Sequence, residues 1–147
     1  MKRHLVVDGH GHPLNLTLST ANRHDTVQLL QTIEGIQIGQ RIRKPKRLGL
    51  DKAYDSELHR RALRQRRIVP IVRYRDNHVT RARGRPPKDW VEQRFCYQRW
   101  KVERSFSWLN NPRRLDRLLE QGQETYLAFC LVFFIKYYLH LLFYDTK

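Results

Sequence analysis

Two acidic residues stand where carboxylates can do chemistry. Asp51 closes a short run, Arg47-Leu48-Gly49-Leu50, and is followed by Lys52-Ala53-Tyr54-Asp55. If that run is a strand, Asp51 lies at its carboxyl end, where ligands and catalytic groups of α/β sheets gather. Glu103 lies within an amphipathic stretch, beside Val102 on its apolar side. A carboxylate at such a boundary is expected to be partly buried and to need a partner or a cation. Each residue also has an ordinary explanation: Asp51 as a helix-capping acid, Glu103 as an ion-pair partner of Arg99 four residues earlier. A third grouping, Asp8-His10-His12, alternates like a metal clip, although a polar turn is the commoner origin of such a pattern.

The elements that would carry these residues follow from periodicity and punctuation. Residues 4–8 read as a short strand, and Asp8-Gly9-His10-Gly11 as a turn. Leu14, Leu16 and Leu18 alternate with polar residues, which predicts a half-buried strand and hence a hairpin. Asp25 or Thr26 can cap a helix through Ile33, which Gly35 and Gly39 end. Residues 41–47 read as a basic loop, 47–50 as a third strand, and Ser56 to Arg66 as a helix. Residues 68–72 look like a fourth strand, with Pro70 marking an edge position. An Arg-rich polar loop at 74–88 precedes a long helix from Trp90 to Asn110, with Phe95, Val102, Phe106 and Leu109 on one face and Asn111-Pro112 as its stop. A last apolar helix runs from Gln123 to Tyr144. Its length approaches the ~20 residues of a membrane span, but Lys136 and His140 fall within it, so a buried core helix is expected and no membrane. Strands alternating with helices after an opening hairpin predict an α/β layer fold.

The charge is distributed unevenly. The 147 residues carry a formal net charge of +15, and residues 41–88 alone hold 17 basic and 4 acidic side chains. The flanking segments are near neutral. Such a block attracts a polyanion, and nucleic acid is the usual one. Arg83-Gly84-Arg85-Pro86 within it has the form of a minor-groove segment, or simply of a solvated loop. Two cysteines, Cys96 and Cys130, form neither a disulfide framework nor a CxxC pair, so a reducing, cytoplasmic setting is expected. The first residues contain no apolar stretch of signal-peptide length.

Three blocks, in order, resemble insertion-sequence DDE transposases, most nearly those of the insertion sequence 5 group. LVVDGHGHPLNLTLSTANRHD (5–25) is similar to the group's segment before the second aspartate, GLDKAYDS (49–56) to its second-aspartate block, and WKVERSFSWLNNPRRL (100–115) to its glutamate block. The resemblance implies an α/β, RNase H-like mixed sheet flanked by helices over residues 1–147. It implies a triad of two aspartates and a glutamate holding Mg²⁺ or Mn²⁺, with the second aspartate at Asp51 and the glutamate at Glu103. The implied activity is metal-dependent strand cleavage and transfer at insertion-sequence ends. Double-stranded DNA would be the substrate, a homo-oligomer the active form, and the cytoplasmic nucleoid the setting. Arg41, Arg43, Lys44, Lys46, Arg47, Tyr97, Arg99, Lys101, Arg104, Arg113 and Arg114 are the DNA-binding candidates.

This sequence departs from the group's pattern at several places. Where the group's signature has arginine three residues after Tyr97, Trp100 stands, flanked by Arg99 and Lys101; where it has lysine seven residues after Glu103, Asn110 stands. The group's first aspartate lies on a strand upstream of Lys2, and Asp8 matches a turn residue instead. The expectation is a domain lacking its first strand, completed by an upstream-frame transposase half. The alternative is a catalytically inactive basic DNA-binding remnant. A weaker one is an unrelated basic nuclease or RNA-binding domain.

Overall fold

The computed structural model describes residues 1–22, 25–72, 98–117 and 122–144. The Arg-rich loop at 74–88, the start of the helix expected from Trp90, Phe95, Cys96 and Tyr97 lie outside those residues. The expected hairpin is present. Strand β1 (Lys2–Val7) pairs antiparallel with β2 (Pro13–Ser19), Leu5 opposite Leu16, with an irregularity between Val6 and Val7. Asp8 shapes the turn. Its Oδ1 accepts from the backbone amides of His10 (2.8 Å) and His12 (2.9 Å), and its Oδ2 faces His12 Nδ1 at 3.1 Å. Burial opposes ionisation of Asp8, but the amides of His12 and His10 and the His12 ring outweigh it and hold the carboxyl below its ordinary value. The Asp8-His10-His12 alternation is thus taken up by the turn. No group of three or more His, Cys, Asp or Glu is placed to hold a metal among the described residues.

Strand β2 is covered on both faces, not half-buried as its alternation suggests. Helix α1 (Asp25–Glu34) meets its polar side: Asn15 Nδ2 donates to the Thr32 carbonyl at 2.7 Å, and the Thr17 and Thr32 hydroxyls lie 2.6 Å apart. Leu16, on the other face, joins a core with Leu109, Leu115, Tyr126, Cys130 and Phe134. The basic segment begins as a small ribbon and not as a loop, with β3 (Gln37–Ile38) pairing antiparallel with β4 (Arg41–Ile42).

Strand β5 (Arg47–Gly49) pairs in parallel with β6 (Val69–Ile71), Leu48 opposite Pro70. Helix α2 (Glu57–Gln65) makes the crossover, and Ser56 caps it by accepting from the His59 amide at 3.2 Å. Pro70 has no N–H to donate, and among the described residues β6 has a single neighbour. A second core of Leu29, Ile33, Ile36, Leu48, Leu63 and Ile68, with Val6 and Leu14 packed on it, joins the hairpin to this pair. The described residues form a mixed α/β arrangement, as expected, but the RNase H-like mixed sheet expected without its first strand is not seen as one sheet among them. The strands form three two-stranded sheets, because β1 and β5 each have one bonded partner and no strand connects them.

Helix α3 (Trp100–Asn110) is followed by the short α4 (Arg113–Asp116) and by α5 (Gln123–Tyr144), whose bounds match those expected. Helix α5 is not the buried core helix expected. Tyr126, Cys130 and Phe134 are buried, whereas Val132, Ile135, Leu142 and Phe143 are 60–73% exposed. Apart from Lys136 and His140 the helix is apolar on all sides beyond its first turn, and one stripe of it packs on the other described residues. By length and composition alone it is long and apolar enough to cross a membrane. Tyr126 anchors the buried stripe, donating to the Leu115 carbonyl at 2.8 Å and accepting from Arg3 Nη1 at 3.3 Å. Burial pushes both its hydroxyl and the Cys130 thiol up.

Two polar assemblies fix the positions of Asp51 and Glu103. In the first, one face of α3 grips the hairpin turn through three consecutive carbonyls. Lys101 Nζ donates to Gly9, Arg104 Nη2 to His10 (2.7 Å), and Ser105 Oγ to Gly11 (2.6 Å). The spacing i, i+3, i+4 puts those side chains on one helix face. Arg104 is held in place between the Trp100 and Trp108 rings, 4.8 and 4.7 Å from their centroids, as cation–π contacts. Gly11 has φ +93°, and a Cβ there would come within 2.9 Å of Arg104 Nη2. In the second, Arg60 on α2 donates through Nε and Nη2 to Asp55 Oδ1 (3.0 and 2.9 Å) and through Nη2 to the Val72 carbonyl (2.9 Å). Both side chains of this pair are buried.

Gly11→Ala is expected to cost about 1–3 kcal/mol, combining left-handed strain with displacement of Arg104. Urea unfolding measures this, and an unchanged midpoint would contradict the clamp. Arg60→Leu is expected to cost more, on the order of 3–5 kcal/mol, because the buried Asp55 carboxylate loses the guanidinium paired with it. The same titration checks it, and the double variant Asp55→Leu, Arg60→Leu should recover part of the loss.

Candidate active site

Asp51 stands at the carboxyl end of β5. The Leu50 amide donates to the Ile71 carbonyl at 2.9 Å, carrying the parallel pairing up to the residue before it. The chain then turns through a short 3₁₀ segment, Lys52–Tyr54, with the Asp51 side chain accepting from the Ala53 amide at 3.3 Å. Capping is therefore one of its roles, as its ordinary explanation has it. The buried Asp55–Arg60 pair fixes the far end of this segment against the carbonyl that follows β6. Asp51 itself remains about half exposed, with a side chain 47% accessible.

Glu103 lies in the first turn of α3. It is not partly buried, as its place beside Val102 suggests; its side chain is 69% exposed. The reason is the choice of buried face. Helix α3 turns Ser105 and Leu109 inward, and a residue two positions before Ser105 points to roughly the opposite side of a helix with about 3.6 residues per turn.

Arg99 connects the two acids. Its Nη2 lies 3.0 Å from Asp51 Oδ2 and 3.9 Å from Glu103 Oε1. The ion pair with Arg99 that would account for Glu103 on its own is thus present, and Asp51 shares it. Two carboxylates from elements far apart in sequence face one positive group. Mg²⁺ takes one or two protein carboxylates and completes its shell with water and substrate phosphate oxygens. The donor set Asp51 plus Glu103 fits that requirement, and the guanidinium between them marks a position where positive charge is favourable.

The basic candidates separate into groups. Arg41, Arg43, Lys44, Lys46 and Arg47 are exposed along the chain leading into β5 and Asp51. Lys101 and Arg104 are engaged with the turn carbonyls, and Arg99 with the two acids. Arg113 is exposed, while Tyr97 and the Arg114 side chain lie outside the described residues. Sequence reasoning missed Asp55, Arg60, Ser105, Trp100 and Trp108 as positioning residues. The Asp55–Arg60 spacing across the Ser56 cap was a usable signal, since it lets an arginine on the first turn of a helix reach back past its cap.

Residues 1–136 match the transposase DDE domain family. The chain is 35% identical over 133 residues to a Burkholderia cepacia protein named "Putative transposase for insertion sequence element IS402", covering 87% of this chain. It spans 57% of the length of that relative. No solved structure matches. With most of its length matched and its two block acids facing one cationic group, the chain belongs to the transposase DDE domain family.

Proposed function

We propose that the chain is the second part of an RNase H-like catalytic domain that cleaves and joins DNA at the ends of an insertion sequence. The observation that carries this reading is the shared approach of Asp51 and Glu103 to Arg99. Asp51, at a strand end, and Glu103, on α3, are the two carboxylates that would hold Mg²⁺ or Mn²⁺. A divalent ion held there would supply Lewis-acid activation of the attacking oxygen and charge stabilisation of the leaving 3′ oxygen. The attacking oxygen is that of water in strand cleavage and a DNA 3′-hydroxyl in strand transfer. The protein's own part is placement. The turn carbonyls orient α3, the Asp55–Arg60 pair orients the loop after Asp51, and the exposed cations from Arg41 to Arg47 draw the phosphate backbone toward both.

The third carboxylate of the triad belongs, in this reading, to a strand outside the 147 residues. Three observations support it: among the described residues, sheets of two strands and no three-ligand group, and a span of 57% of the relative's length. The partners are then double-stranded DNA, an upstream transposase segment and further copies of the chain, at the nucleoid in the cytoplasm. A second reading, DNA binding without catalysis, is favoured by the same two-carboxylate count.

Binding to duplex DNA carrying the element's ends is expected to weaken steeply with salt, with a slope of about −0.9 in log K against log salt for each phosphate neutralised. Replacing Lys44 and Lys46 together by Gln should flatten the slope by roughly two. Fluorescence anisotropy between low and moderate salt measures it, and salt-independent binding would contradict the DNA-binding role. In the same mixture with Mn²⁺ and the upstream segment supplied, nicks at the element ends should be lost in Asp51→Asn and in Glu103→Gln. Nicking that survives in either variant would remove that residue from the catalytic set.

A further inference from the structure

Arg99 stands where the helix itself does not favour a cation. It is the residue that opens α3, its side chain makes no capping hydrogen bond, and the positive end of a helix macrodipole opposes a cation there. What holds it is the carboxylate pair, at 3.0 Å from Asp51 and 3.9 Å from Glu103. The contact joins residues 48 positions apart in the sequence, so it ties the end of β5 to the start of α3. It is also half exposed, with the Arg99 side chain 53% accessible. Exposed ion pairs are weak and exchange easily. A guanidinium and a divalent ion attracted to the same two carboxylates would repel each other at a separation of a few ångströms, so the two compete for the pair.

We propose that Arg99 is a displaceable counter-ion of the Asp51–Glu103 pair. Before a divalent ion binds, Arg99 offsets half the charge of the two acids and ties their elements together. When the ion binds, Arg99 is released beside the site, where its planar fork suits a DNA phosphate. Metal loading and the phosphate grip are thereby coupled through one side chain. The inference rests on the reading of Asp51 and Glu103 as metal-binding residues.

The test is Mn²⁺ binding to the 147-residue chain, followed by calorimetry and by the loss of the free-ion electron paramagnetic resonance signal. Arg99→Gln should bind Mn²⁺ roughly threefold to tenfold more tightly than the unaltered chain, as expected when an exposed competing ion pair is removed. Arg113→Gln makes the same charge change on α4 and should shift affinity by much less. Without metal, Arg99→Gln should also lower the thermal midpoint, and Mn²⁺ should recover more stability in it than in the unaltered chain. Affinity that is unchanged or weaker in Arg99→Gln, or tightened equally in Arg113→Gln, overturns the proposal. Asp51→Asn and Glu103→Gln separate the two levels. If Mn²⁺ binding ignores them, or neither chain binds Mn²⁺, the metal reading itself fails. If binding depends on them while Arg99→Gln changes nothing, only the role of Arg99 fails.

Discussion

The carbonyls of Gly9, His10 and Gly11 hold the helix that carries Glu103, and the site depends on that grip. Lys101, Arg104 and Ser105 reach them from one face of α3, with Arg104 stacked between two indoles. Each hydrogen bond on its own is modest, about 1 kcal/mol net, or somewhat more where a charged donor is used. Their effect comes from acting on three adjacent groups of one rigid turn. That turn is in turn rigid because Asp8 accepts from the amides of His10 and His12. Loosening any of these links would let α3 rotate, and Glu103 would lose its position relative to Asp51.

The electrostatic layout follows the same logic. Asp51 and Glu103 share a cation, and exposed basic side chains lead into Asp51 along residues 41–47. Their positive field would concentrate a polyanion beside two carboxylates that would otherwise repel it. The buried Asp55–Arg60 pair serves a different purpose. Enclosed pairs of this kind are weak evidence for stability, but this one fixes the segment after Asp51 to the end of β6.

What could be read in the sequence was local. The hairpin, the Ser56 cap, the edge position of Pro70 and the bounds of α5 each depend on neighbouring residues, and each is found. The two block acids were identified by resemblance, and their ordinary roles as a cap and as an Arg99 partner are both present. What could not be read involves residues far apart in the chain. The contacts between α3 and the turn span more than ninety positions, so no periodicity reports them. The polar face of β2 alternates as a solvent face would, yet α1 covers it with Thr32. The apolar pattern of α5 says nothing of which side finds a partner; among the described residues it is the stripe of Tyr126, Cys130 and Phe134. Glu103 sits beside an apolar residue in sequence, but the helix turns Ser105 inward and Glu103 outward.

In the proposed function Asp51, just past the end of β5, and Glu103, on α3, act as one cation-binding pair. Anomalous scattering from a crystal of the chain soaked in Mn²⁺ tests it directly. A single strong manganese peak is expected within bonding distance of both carboxylates, with the Arg99 guanidinium moved away from them. A peak on one carboxylate alone, or none at either while manganese is bound elsewhere, would contradict it.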